Sequence, residues 1–100
     1  MTIKLVKHPP EAAELRLEGR LDTTSTPAAQ DVFMKAAGEY SNITLNFSGL
    51  AYVSSAGLRA LLALQKQVNR TGGSLTLTNV SPVVMEVFEM TGFSGILQIV

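Results

Sequence analysis

The sequence predicts an α/β fold: a mixed four- to five-stranded β-sheet with α-helices packed against it, in one domain over residues 1–100. Three observations predict it. Apolar residues make up 46% of the chain against 16% charged, enough for one core in 100 residues. Short runs of period two alternate along the chain with longer runs of period 3.6. The helical runs separate successive strands, and strands joined by crossovers lie parallel.

The elements follow in order. Ile3 and Leu5 alternate with Lys4 and Val6 as a weak first strand, which His8-Pro9-Pro10 stops. Leu15 and Leu17 alternate with Glu14, Arg16 and Glu18, and Gly19 breaks this second strand. The two read as a hairpin through the proline-rich connection. Thr26 as N-cap, with Pro27 at the first helical position, opens a helix. Its apolar face is Ala29, Val32, Phe33, Ala36 and Tyr40, and Gly38 ends it. Ile43, Leu45 and Phe47 alternate with Thr44 and Asn46 as a strand. Ser48-Gly49 then loosens the chain, and Ala51-Tyr52-Val53 leads to two serines. From Gly57 to Arg70 the period is helical: Leu58, Leu61, Leu62, Leu64 and Val68 form one stripe, Arg59, Lys66 and Arg70 the opposite one. Thr71-Gly72-Gly73 ends that helix, and Leu75 and Leu77 mark another strand. Ser81-Pro82 opens a helix with Val84, Val87 and Phe88 toward the core and Met85 and Met90 filling beside it. Thr91-Gly92 stops it, and residues 96–100 read as a short final strand. The order is ββαβαβαβ.

Composition excludes several functions. Lys+Arg and Asp+Glu both number 8, so the formal net charge is zero, which argues against direct nucleic-acid binding or electrostatic membrane binding. The chain has no cysteine, so no disulfide framework and no thiolate site. Its sole histidine, His8, stands beside prolines, and no Ser-His-Asp set is expected to assemble. Gly72-Gly73 follows a helix and lacks the downstream Gly-Lys-Ser/Thr of a phosphate loop. No spacing of His, Asp and Glu suggests a metal, and no dinucleotide-binding glycine pattern is present. The expectation is a non-enzymatic protein without cofactor. The first seven residues hold no apolar stretch of signal-peptide length, and no run reaches membrane-spanning length, so a cytoplasmic location without membrane insertion is expected.

The segment Tyr52-Val53-Ser54-Ser55-Ala56-Gly57-Leu58-Arg59 places two hydroxyls where a helix begins. The first N–H groups of a helix lack intrahelical partners, and its dipole favours an anion there. A serine in this place either caps the helix, for about 1 kcal/mol, or carries a phosphate of charge near −2. Ser55 is the expected cap. Plainer readings stand beside the functional one. The serines are caps alone, Arg59, Lys66 and Arg70 are a solvated face, and Asp22, Thr23, Thr24 and Ser25 are turn residues. Ala60 and Ala63 either admit a partner helix or serve as helix formers.

Taken together, these elements resemble the STAS domain, and within it the bacterial anti-sigma factor antagonists. The resemblance rests on Leu17-Glu18-Gly19-Arg20-Leu21-Asp22, on Leu45-Asn46-Phe47-Ser48-Gly49-Leu50, and on Ser54-Ser55-Ala56-Gly57-Leu58-Arg59. Asn79-Val80-Ser81-Pro82 and Met90-Thr91-Gly92-Phe93 frame the last helix in the same manner, so the likeness spans the chain. It implies the STAS fold and a partner-switching role. The unphosphorylated antagonist binds an anti-sigma factor that is itself a GHKL-type serine kinase, and phosphorylation of a serine dissociates the pair. A serine phosphatase then restores the binding form. Registered on Gly57-Leu58, the phosphoacceptor falls on Ser55, with Ser54 as second choice. Ser54 stands where the family often has Asp, and Ala56 where it often has a second hydroxyl. The implied partner surface is Asp22, Thr23, Thr24, Ser54, Ser55, Ala56, Gly57, Arg59, Ala60 and Ala63. A monomer or weak dimer is compatible with the composition. The alternative is an unphosphorylated STAS subunit of a complex such as a phospholipid-transport ABC system, docked permanently on its ATPase.

Overall fold

A computed structural model describes residues 1–8 and 12–100. The elements are β1 (Thr2–His8), β2 (Ala12–Leu21), α1 (Thr26–Glu39), β3 (Asn42–Val53), α2 (Ser55–Arg70), β4 (Ser74–Thr78), α3 (Pro82–Thr91) and β5 (Gln98–Ile99), with a 3-10 turn at Phe93–Gly95. Pro9, Pro10 and the side chain of His8 lie outside the described residues, and with them the expected proline stop. The five strands form one sheet in the order β1-β2-β3-β4-β5. β1 runs antiparallel to β2, and each later pair is parallel.

This order fixes the layers. Each crossover moves one strand along in the same direction, and right-handed crossovers then bring all three helices to one face. The strands agree. Leu15, Leu17, Ile43, Leu45, Phe47, Leu75 and Leu77 are buried toward the helices. Their neighbours Glu14, Arg16, Thr44, Asn46, Thr76 and Thr78 face the other way and are half-buried or exposed. A polar network covers that second face. Arg16 Nε donates to Glu14 Oε1 at 3.0 Å, Asn46 Nδ2 to Glu14 Oε2 at 3.0 Å, and Asn79 Nδ2 to Asn46 Oδ1 at 3.1 Å. The core fills the space between sheet and helices, closed over β3 by Phe47 and Phe88, whose rings meet edge to face at 6.0 Å.

Several sequence expectations are corrected. β3 does not loosen at Ser48-Gly49; it runs unbroken for 12 residues. Its pairing with β2 shifts twice, between Arg16 and Glu18 and between Gly19 and Arg20, so β3 carries two residues more than β2 over the same span. These bulges turn the period from two to three: Phe47, Leu50 and Val53 are buried and the residues between them are exposed. Gly49 permits the close approach, because a Cβ there would stand 2.8 Å from Glu18 Cγ and 2.9 Å from the Leu17 carbonyl oxygen. β2 likewise passes through Gly19, which takes φ +102. Thr26 is the first residue of α1 rather than its cap; it is buried and its hydroxyl donates to the Asp22 carbonyl. α1 runs past Gly38 to Glu39, and Val32 is exposed while Ala37 is buried in its stead. Met90 is 79% exposed, because Val84 and Phe88 set the inward face of α3 and position 90 lies well round the helix from both. Met85 does pack against the core. The last strand is only Gln98–Ile99.

Candidate functional site

The serines sit at the carboxyl ends of two parallel strands. Leu21 pairs with Val53 at the ends of β2 and β3, and both are buried. The Ser54 N–H then donates to the Leu21 carbonyl at 2.8 Å, so the chain leaves the sheet at Ser54 itself. Ser54 holds extended backbone, φ −87 and ψ 175, and is the N-cap of α2. Its Oγ accepts the Gly57 N–H at 3.3 Å and its carbonyl accepts the Leu58 N–H at 2.9 Å. The cap is therefore Ser54 and not Ser55, because Val53 must stay paired and buried and the next residue has to make the turn. Ser55 is the first helical residue and is exposed. Its hydroxyl makes no hydrogen bond among the described residues. The N–H groups of Ser55 and Ala56 have no helical partner, and no acidic residue lies in the first turn to offset the positive helix end.

The β2–α1 loop lies alongside. Asp22 Oδ1 accepts the N–H groups of Thr24 at 3.1 Å and Ser25 at 3.0 Å, and the Ser25 hydroxyl at 3.2 Å. The Ser25 hydroxyl also lies 2.7 Å from the Arg20 carbonyl, to which it can donate, and accepts the Asp22 N–H at 3.0 Å. The hydrogen bond from the Ser25 backbone, with smaller help from the Ser25 hydroxyl, the Thr24 N–H and the Arg20 charge, holds the Asp22 carboxyl below its usual pKa. Asp22 is thus the keystone of a turn, and it presents Thr23 and Thr24, both exposed, on the same rim as Ser54.

The structure divides the expected surface. Asp22, Thr23, Thr24, Ser54, Ser55, Ala56 and Arg59 reach solvent at this rim, and Ala63 is half-buried further along α2. Gly57 and Ala60 do not reach it. They belong to the inward stripe Gly57, Ala60, Leu61, Leu64 and Val68, which follows the helical spacing, and Ala60 is 1% exposed. Gly57 presses α2 against the end of β2: a Cβ there would stand 2.8 Å from both Leu21 Cγ and the Leu21 carbonyl oxygen. Its smallness sets the distance between the Asp22 turn and the serines.

Two residues of the rim escape a reading of the sequence. Arg20 and Tyr52 are register partners, and the Arg20 guanidinium lies 4.5 Å from the Tyr52 ring centroid. Each immediately precedes a residue of the site's strand ends, but their pairing depends on the bulged register, which no local pattern reveals. Among the described residues no group of three His, Cys, Asp or Glu side chains is placed to hold a metal. No helix among the described residues is long and apolar enough to cross a membrane.

The STAS domain family model matches residues 4–100. The chain belongs to the STAS domain family. The anti-sigma-B factor antagonist of Bacillus subtilis is 27% identical over 94 residues, covering 94% of this chain and 86% of its own. The anti-sigma factor antagonist SpoIIAA in its unphosphorylated form superposes with a TM-score of 0.78 at 23% identity, over 99% of this chain and 87% of that one. The phosphorylated form of SpoIIAA from Bacillus gives 0.77 at 24% identity, over 99% and 91%. These likenesses bear out the STAS fold, with its mixed sheet of five strands.

Proposed function

We propose that this STAS domain is an anti-sigma factor antagonist that works by phosphorylation-controlled partner switching at Ser55. The observation that carries the proposal is the separation of duties at the start of α2. Ser54 spends its hydroxyl on the cap, while Ser55, one residue on, offers an exposed hydroxyl over two N–H groups without helical partners.

With Ser55 unmodified, the rim formed by Asp22, Thr23, Thr24, Ser54, Ser55, Ala56, Arg59 and Ala63 is close to neutral and binds the anti-sigma factor, a GHKL-type serine kinase. The kinase transfers the γ-phosphoryl group of ATP to Ser55 Oγ, which loses its proton to a base on the kinase, and ADP leaves. The ester adds a charge of roughly −2. Inside the domain this charge meets the positive end of α2, so the fold tolerates it. At the interface it must be desolvated against a partner surface fitted to a neutral hydroxyl, and the complex dissociates. A serine phosphatase hydrolyses the ester with water and restores the binding form. The domain itself supplies no catalytic group.

The test is tandem mass spectrometry of the protein recovered from its native cells, read on the peptide that contains Ser54 and Ser55. Phosphate on Ser55 that rises and falls with growth condition is the expected result. No phosphate under any condition, with the protein still held in a stable complex, would replace this reading with that of a permanent subunit. Ser55→Glu binding the anti-sigma factor as tightly as the unchanged chain would also refute it.

A further inference from the structure

The Arg20–Tyr52 stack adjoins the serines and has no part in the switch described above. We propose that it is an anchor for the partner, and that it takes a carboxylate from an acidic segment docked on the sheet side of Ser54 and Ser55. This rests on the reading of the rim as the partner-binding surface.

Three observations carry it. First, the guanidinium already packs on a ring of its own domain. It lies 4.5 Å from the Tyr52 ring centroid, a contact that favours one placement of the side chain before docking. Second, its terminal donors are unspent. Arg20 Nε is ion-paired with Asp22 Oδ2 at 3.8 Å, too long for a hydrogen bond, and Asp22 Oδ1 is taken by Thr24 and Ser25, so the two terminal NH2 groups stay open. The Arg20 side chain is 62% exposed. On the same sheet Arg16 is hydrogen-bonded to Glu14 at 3.0 Å, whereas the Arg20 pair makes no hydrogen bond. Arg20 therefore presents an open planar fork, which matches a carboxylate through two parallel hydrogen bonds. Third, the place is right. The stack precedes the buried pair Leu21 and Val53, and the Ser54 N–H is bonded to the Leu21 carbonyl. Arginine and tyrosine are the residue types that concentrate at the energetic centres of interfaces.

The anchor deepens the switch. A phosphate on Ser55 would stand near the partner's bound carboxylate, and repulsion between like charges would add to the desolvation cost. The carboxylate is the anion to expect, because it is what a protein surface supplies.

The experiment is a nuclear magnetic resonance titration of the full, unphosphorylated, isotope-labelled chain with an end-blocked tetraglutamate peptide. An end-blocked tetraglutamine peptide is the control. Saturable shifts centred on the Arg20 side-chain N–H and the Tyr52 amide, with tetraglutamate alone, are expected. Arg20→Ala should weaken binding at least about tenfold, with an otherwise unchanged amide spectrum, and Arg20→Lys should fall between. Tyr52→Leu should weaken it roughly two- to fivefold and Tyr52→Phe hardly at all. Shifts centred on Lys66 and Arg70, or an Arg20→Ala titration equal to that of the unchanged chain, would overturn the proposal. Inorganic phosphate binding Arg20 more tightly than the peptide would overturn the carboxylate assignment. None of these outcomes bears on whether Ser55 is phosphorylated, so the two readings fail separately.

Discussion

Ser54 and Ser55 are adjacent and chemically identical, yet alanine at each should behave differently. Ser54 Oγ accepts the Gly57 N–H at 3.3 Å and is the sole side-chain cap of α2. Replacing an N-cap serine with alanine costs typically about 1 kcal/mol. For a domain of 100 residues a loss of that size lowers Tm by roughly 4–8 °C. In urea it lowers the midpoint by about 0.3–1 M, for slopes of roughly 1–3 kcal/mol per M. The Ser55 hydroxyl is exposed and unbonded among the described residues, and alanine is a better helix former, so Ser55→Ala should stay within about 0.5 kcal/mol of the unchanged chain. Paired urea melts followed by far-ultraviolet circular dichroism decide the matter. Equal losses at the two positions, or a neutral Ser54→Ala, would refute the assignment of the cap to Ser54 and with it the freedom of Ser55.

Three further outcomes are expected. Gly57→Ala should destabilise the domain by about 1–3 kcal/mol in a urea melt, although helix propensity alone favours alanine by about 1 kcal/mol, because the new Cβ meets the Leu21 backbone oxygen at 2.8 Å. Phe88→Ala should cost about 3–5 kcal/mol by the same assay, since Phe88 is fully buried and packs edge to face on Phe47. Asp22 should make stability depend on pH. Its folded pKa lies below the unfolded value, so its contribution is complete above the unfolded pKa of about 4 and disappears as pH falls through the folded one. The difference in Tm between the unchanged chain and Asp22→Asn should therefore be larger at pH 7 than at pH 3, and a difference independent of pH would count against the turn described here.

The strands and helices were legible where a single period ran unbroken. Leu15 and Leu17, Ile43 to Phe47, and Leu75 and Leu77 alternate cleanly because one face of the sheet packs on helices and the other meets solvent. The alternation was lost from Ser48 to Val53, where two bulges change the spacing of buried residues to three. The site was legible as a motif on a helix start, but its parts were not. A cap and an exposed hydroxyl cannot be told apart in Ser54-Ser55 until the position of the last paired strand residue is known. Ala60 resembles a surface contact in sequence and is interior in space, because the inward stripe of α2 includes it with Leu61 and Leu64.

By itself the sequence determined the fold class, the order of the elements, the family and the place of the serines at the head of α2, since each of these follows from local periods and short motifs. Tertiary structure decided which serine caps and which is free, that Gly57 and Ala60 are buried, and that Arg20 stacks on Tyr52. The burial of Gly57 and Ala60 follows from the packing of α2 on the sheet, and the other two outcomes depend on the register between β2 and β3. That register is set by bulges and close backbone approach between residues about thirty positions apart, a relation that no local stretch of chain encodes.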